Sequence, residues 1–228
     1  MKNYLVTSLH KFENWDFSKE DPYDGYKSME VIHEKSFKKN LKGDFEYILF
    51  EGHSKGPTQM FKKQFDFLKN LWNNEPCNIL YCGPDTVCVK ELDIFNYGFL
   101  NMMMFNYTEP TQYLDIEHYL NADVIYYPHE MDSNLWELGE ELWEKSNYKW
   151  NCDQYILNKM VWKQGLNIED VLYPELNFMG HNLPNIQQAE MFNRISIKDA
   201  RIVHITGTRN LKFARDMMNT LLTKGELT

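Results

Sequence analysis

Asn78-Ile-Leu-Tyr-Cys-Gly-Pro-Asp-Thr-Val-Cys-Val-Lys-Glu-Leu92 is the stretch that decides how this chain is read. Ile79-Leu80-Tyr81-Cys82 is a short apolar run of the kind a buried strand shows. Gly83-Pro84 breaks it, Asp85 presents one carboxylate, and Val87 and Val89 return to apolar character. In open α/β sheets ligands sit outside the carboxyl ends of the strands. Asp85 is therefore either a site acid or, as an isolated acid after a strand more often is, a turn or helix cap.

The residues before it favour a site. Tyr4 to Leu9 reads as a first buried strand, and residues 10 to 26 as a long polar and aromatic loop. Ser28 stands where it would cap a helix over 29–41, with Met29, Ile32, Phe37 and Leu41 on one face. Phe45 to Phe50 reads as a second strand. Pro57 then starts a helix carrying Phe61, Phe65, Leu68 and Trp72 at helical spacing, stopped by Asn73, Asn74 and Pro76. The order is strand, helix, strand, helix, strand, acid, half of a Rossmann-type unit. No glycine-rich dinucleotide fingerprint follows the first strand. Thr7-Ser8-Leu9-His10 stands there instead, which disfavours a dehydrogenase.

Composition narrows the function classes. With 228 residues the chain buries one sizeable core, so one domain is expected. A net charge of −9 disfavours nucleic acid as a partner, but leaves a nucleotide open, since one bound divalent cation reverses the local sign. Aromatic residues are 15% of the chain, enough that some rings line a surface or cleft. Cys77, Cys82, Cys88 and Cys152 form no C-x-x-C pair, which argues against zinc. The N-terminus is too polar for a signal peptide. No run reaches the roughly 18 apolar residues of a membrane helix. These features predict a soluble, cytoplasmic protein that is not integral to a membrane.

The second half is less regular. Gly98 to Phe105 and Leu120 to Tyr127 read as strands, and Asp132 or Ser133 caps a helix to about 146. Helix returns over 152–164, ended by Gly165. Residues 166 to 197 read as loop with short pieces. Ala200 to Ile205 is a last strand, and a helix over 209–223 turns Leu211, Ala214, Met218 and Leu222 inward. The Trp136, Trp143, Trp150 and Trp162 group reads as helix packing, with Trp150 a candidate to stack on a sugar.

Four pieces then fall in order: Tyr81-Cys-Gly-Pro-Asp-Thr-Val-Cys-Val-Lys-Glu-Leu92, Leu120-Asn-Ala-Asp-Val-Ile-Tyr126, Trp150-Asn-Cys-Asp-Gln-Tyr-Ile-Leu-Asn158 and Val203-His-Ile-Thr-Gly-Thr-Arg209. Together they resemble the GT-A glycosyltransferases of the glycogenin and lipopolysaccharide-galactosyltransferase kind, over roughly residues 1 to 212. That family shows an Asp-x-Asp turn after a strand, an Asn-x-Gly segment, an Asp-Gln pair opening a helix, and a His-x-x-Gly-x-Lys segment. The resemblance implies an α/β single-domain GT-A fold, a mostly parallel twisted sheet flanked by helices. Residues 1–95 would be the nucleotide-binding half, and 96–228 the donor-sugar and acceptor half.

The implied activity is transfer of a hexose, with retained anomeric configuration, from a nucleoside-diphosphate sugar to a glycan, protein or lipid acceptor. The implied cofactor is Mn2+ or Mg2+, which neutralises the diphosphate leaving group. By resemblance, Asp85 and His204 are the metal ligands. Thr7, Ser8, Gly83, Pro84, Asp85, Gly207 and Arg209 line the nucleotide. Asn121, Asp123, Asp153 and Gln154 hold the donor sugar, and Asp153 or Gln154 lies nearest the anomeric carbon. Two positions depart from the pattern: Gly83 stands where the first acid of Asp-x-Asp belongs, and Asp123 where the glycine of Asn-x-Gly belongs. Three readings stay open. Asp85, His204 and the diphosphate suffice for the metal, or Asp123 supplies the missing charge, or the site uses no metal and the chain is a catalytically inactive nucleotide- or glycan-binding module.

Overall fold

The computed structural model describes residues 1–13, 22–108, 115–146, 152–180, 185–205 and 211–224. Its centre is β1 (Lys2–Phe12), whose residues from Tyr4 to His10 are all buried. It pairs in parallel with β2 (Glu46–Ser54) on one side and β3 (Cys77–Cys82) on the other. Next to β3 lies β6 (Val124–Tyr127), antiparallel, and then β5 (Met103–Met104), antiparallel to β6. The sheet order is β2-β1-β3-β6-β5, so four of five strands run one way and only β6 is reversed. The crossovers are α1 (Pro22–Asn40) and α2 (Pro57–Asn74).

A second sheet of three strands carries the site's other wall. Here β8 (Ile202–His204) lies between β4 (Thr86–Cys88), antiparallel, and β7 (Phe178–Met179), parallel. The chain leaves β3 at Cys82 and enters β4 at Thr86, so Gly83-Pro84-Asp85 is the junction between the two sheets. The remaining helices are α3 (Asn134–Lys145), α4 (Cys152–Lys163), α5 (Ile168–Val171), α6 (Ile186–Asn193) and α7 (Leu211–Lys224). One apolar cluster fills the space under the first sheet. A second, built from Met29, Phe178, Val203, Ala214 and Met218, packs α1 and α7 on the second sheet.

The expected α/β architecture is the observed one, with different local boundaries. Helix α1 begins at Pro22, seven residues before the expected start. A proline at the first helical position and Asp24 in the first turn suit a helix start, and Ser28 lies inside the helix with its hydroxyl donating to the Gly25 carbonyl at 2.7 Å. Of the stretch from Gly98 to Phe105, only Met103 and Met104 are strand, because β6 offers only Ile125 and Tyr126 as partners there. Within 166–197 the structure has α5, β7 and the eight-residue α6. Helix α7 buries Ala214, Met217, Met218 and Leu221, with Leu211 and Leu222 at the margin.

Helix packing is tight at Gly139 of α3. A Cβ there would lie 2.5 Å from Phe65 Cζ and 2.9 Å from Met160 Sδ. Phe65 is itself wedged edge-on against Trp136, with ring centroids 5.3 Å apart. Alanine gains about 1 kcal/mol of helix propensity over glycine, but overpacking a fixed core costs about 1–3 kcal/mol. Gly139→Ala is therefore expected to destabilise the protein, read as a lower denaturant midpoint at unchanged slope. An increased midpoint would show that Phe65 has room to move.

Candidate active site

Asp85, Asp123 and His204 meet where the two sheets join. Asp85 sits in the turn that follows β3. Asp123 precedes β6, whose Val124 is in register with Cys82. His204 ends β8, opposite Thr86 of β4. Main-chain bonds lock the junction: Gly83 N–H donates to the Asp123 carbonyl at 2.8 Å, and Ile205 N–H to the Asp85 carbonyl at 2.9 Å. One ligating atom from each of the three side chains lies within 4.8 Å of the others. His204 Nε2 is 3.5 Å from Asp85 Oδ2 and 3.6 Å from Asp123 Oδ2.

Electrostatics follow from that geometry. Burial disfavours charge on His204, which is 1% exposed, but the Asp123 and Asp85 carboxylates outweigh it and raise the imidazole to about 9. Asp123 is pushed upward by burial and by Asp85, against the pull of His204 and a hydrogen bond from Asn121. Its side chain is 41% exposed, so solvent tempers that rise. The donor set, two carboxylates and one imidazole nitrogen, is the oxygen-rich mixture that manganese accepts. A Cβ on Gly83 would lie 2.9 Å from Asp85 Oδ1 and 3.3 Å from Asp123 Oδ1, so only glycine at 83 lets both carboxylates converge.

The other expected residues sort as follows. Ser8 donates to Gln64 Oε1 at 3.0 Å and lies 3.1 Å from the Tyr81 hydroxyl, all three in the wall of a cleft of about 280 Å3. Pro84, Asp85 and Asp123 line the same cleft. Thr7 is fully buried in β1 outside that lining, its hydroxyl without a hydrogen-bond partner among the described residues. Asn121 is buried against Asp123. Asp153, in the first turn of α4, is raised to about 7 by burial, offset by backbone donors and reinforced by Asp123. The side-chain oxygen Gln154 Oε1 accepts from Ala122 N–H at 3.2 Å. Gly207, Arg209 and Trp150 lie outside the described residues. Trp136 and Trp143 are buried beside Phe65, as helix-packing residues.

The cleft also contains residues that no motif marks. Tyr26 of α1 sits close enough to the acids that Asp85, then burial, then Asp123 raise its phenol. His10 is kept neutral, lowered to about 4 chiefly by burial, with Nδ1 3.1 Å from Ser54 Oγ. Both belong to segments that read as loop in the sequence, where helical periodicity gives no clue to a side chain's direction.

No family model matches the chain, and no curated protein matches it. Solved structures do. The apo form of the glycosyltransferase GlyE from Streptococcus pneumoniae TIGR4 superposes with a TM-score of 0.55 and 14% identity, over 98% of this chain and 64% of GlyE. This chain thus spans less than two thirds of that enzyme. An active-site glutamine-to-glutamate variant of LgtC gives 0.56 and 13%, over 97% of this chain and 95% of LgtC. At such identities the likeness is one of fold: the chain has the mixed α/β fold of these structures, the GT-A architecture its sequence led us to expect.

Proposed function

We propose that the chain is a glycosyltransferase that moves a hexose from a nucleoside-diphosphate sugar to a glycan, protein or lipid acceptor, assisted by a divalent metal. The observation that carries this reading is the convergence of Asp85, Asp123 and His204 on one point at the rim of the cleft. Bound there, Mn2+ or Mg2+ would offset the negative charge of the departing diphosphate. Asp85, Asp123 and His204 Nε2 would hold the ion. The nucleoside would enter between Ser8, His10, Tyr26 and Phe61, in the half formed by residues 1–95, and the sugar and acceptor would face the half formed by 96–228. Gly207 and Arg209 remain proposed phosphate contacts.

Of the Asp-Gln pair, Gln154 has its side-chain amide oxygen Oε1 committed to Ala122 N–H, so the catalytic assignment falls on Asp153. The Asp123 carboxylate contributes to its raised pKa, which supports that assignment, and its carboxyl, raised to about 7 chiefly by burial, could hold or release a proton near neutrality. The inactive-module alternative drew on two lost residues, the acid at 83 and the glycine at 123. Their juxtaposition reads instead as one exchange, in which the acid moves to the neighbouring strand and the glycine makes room for it. Among the described residues no helix is long and apolar enough to cross a membrane.

The test is thermal unfolding with a panel of nucleoside diphosphates, each with and without manganese. A ligand at a hundred times its Kd adds about 2.7 kcal/mol to the folded state. One nucleotide is expected to raise the midpoint, more so with manganese, and Asp85→Ala is expected to remove the manganese increment. No shift with any nucleotide at millimolar concentration would overturn the reading.

A further inference from the structure

Asn121 does not occupy the position of a free sugar ligand. Its Oδ1 accepts from Asp123 N–H at 3.0 Å and from Asn177 Nδ2 at 3.1 Å, and its Nδ2 donates to Asp123 Oδ2 at 2.9 Å. A carboxamide oxygen has two lone pairs, and both are used. The bond back from residue 123 closes an Asx turn, the local structure an Asn two residues upstream favours. The second bond reaches past the backbone to the carboxylate oxygen that stands 3.6 Å from His204 Nε2.

The backbone here does not need that second bond. Asn158 brackets Leu120, taking its N–H and donating to its carbonyl, both at 2.8 Å. Asn121 N–H donates to the Asn106 carbonyl at 2.8 Å, Ala122 N–H to Gln154, and the Asp123 carbonyl accepts from Gly83. Behind Asn121, Asn177 is fully buried, its own carbonyl accepts from Asn106 Nδ2, and its Oδ1 has no partner among the described residues. An unmet buried acceptor is destabilising. The side chain is oriented so that its amide meets Asn121 at the expense of its own oxygen, a choice that serves the site rather than the core.

We infer that Asn121 is a positioning residue for Asp123, braced by Asn177, and aims the carboxylate that stands in for the acid absent at position 83. This inference rests on the metal-site reading above. Groups that orient a metal ligand typically affect metal affinity about 10–100-fold when removed.

The test uses Asn121→Ser, whose hydroxyl can still accept from Asp123 N–H but no longer reaches Oδ2. Free Mn2+ is measured by electron paramagnetic resonance as manganese is titrated into the protein, alone and with each common nucleoside diphosphate and diphosphate sugar. The expected result is a loss of manganese affinity of about 10–100-fold, equal for diphosphate and diphosphate sugar. In an Asp123→Asn background the same change should cost nothing further. Unchanged manganese affinity, with only the sugar-bearing ligand weakened, overturns the positioning role and returns Asn121 to sugar contact. Additive losses in the double variant overturn it as well. Asn177→Ala, which keeps every residue of the trio and Asn121 itself, should reproduce a smaller loss. If Asn121→Ser fails to fold, an unchanged affinity in Asn177→Ala overturns the brace. Wild-type protein that takes up no manganese at all overturns the metal-site reading together with this one.

Discussion

Gly83→Asp, which writes the Asp-x-Asp turn back into this chain, is expected to lower kcat/KM for hexosyl transfer by about 10²–10³-fold rather than raise it, because a metal's charge stabilisation is worth several kcal/mol and about 1.4 kcal/mol is a factor of ten. The first atom of any side chain at 83 would lie 2.9 Å from Asp85 Oδ1 and 3.3 Å from Asp123 Oδ1. A third carboxylate would enter a space already shared by two, adding like charge and displacing the ligands. The Gly83 carbonyl cannot retreat, since Thr86 N–H and Oγ1 both donate to it, at 3.1 and 2.8 Å. The partner substitution tests the cause. Asp123→Gly alone removes one of two carboxylates and should lower manganese affinity. Combined with Gly83→Asp, it returns the number of acids to two and the glycine to the other strand, and part of the activity should return. Manganese-dependent turnover of the four proteins, with metal affinity measured beside it, decides the matter. Activity in Gly83→Asp equal to the parent would show that the two positions do not share the space.

How far the site was legible can be read from these same residues. Asp85 was marked by its place, an acid after an apolar run and a Gly-Pro turn, and that place is where the structure joins its two sheets. His204 was marked by the resemblance, and it ends β8 one residue before the expected end of that strand. The convergence of Asp123 with them was one of three open readings, and the sequence alone did not choose among them. It depends on the pairing of Cys82 with Val124 across an antiparallel register, and periodicity reports which face of a strand is buried without saying which strand ends meet. Tyr26 escaped for a related reason: the segment before Met29 is too polar to show a helical stripe, yet it is helix, turning a tyrosine toward the acids. Helix α6 is only eight residues long with two buried positions, Ala189 and Asn193, too few to rise above loop composition. Asn121 was legible as a site residue by its motif. Its partners were not, because Asn177 and Asn158 reach it or its neighbours from 56 and 38 positions along the chain.

Manganese affinity is expected to rise about tenfold per pH unit between pH 7 and pH 9, and then to level off. The cause is His204. Without metal its imidazole titrates near 9, held charged by Asp123 and Asp85 against the cost of burial. A metal ligand must present an unprotonated nitrogen, so below that pH each ion bound expels one proton. Calorimetric titration in two buffers of different ionisation enthalpy should report close to one proton released at pH 7.5, and His204→Gln should abolish both the release and the slope.

The metal-free protein should show the opposite trend. A base whose folded pKa is raised stabilises the fold fully below its unfolded value near 6.5, and that contribution is lost as pH rises through 9. Asp153, raised to about 7, acts in the same sense: its contribution is complete below about 3.8 and lost as pH rises toward 7, where the buried carboxyl must ionise. Unfolding midpoints without metal should therefore fall from pH 6 to pH 9, and saturating manganese should flatten or reverse that fall. Parallel curves with and without manganese would mean that the ion does not compete with the His204 proton, and the trio would then be an ion pair that closes the sheet junction rather than a metal site.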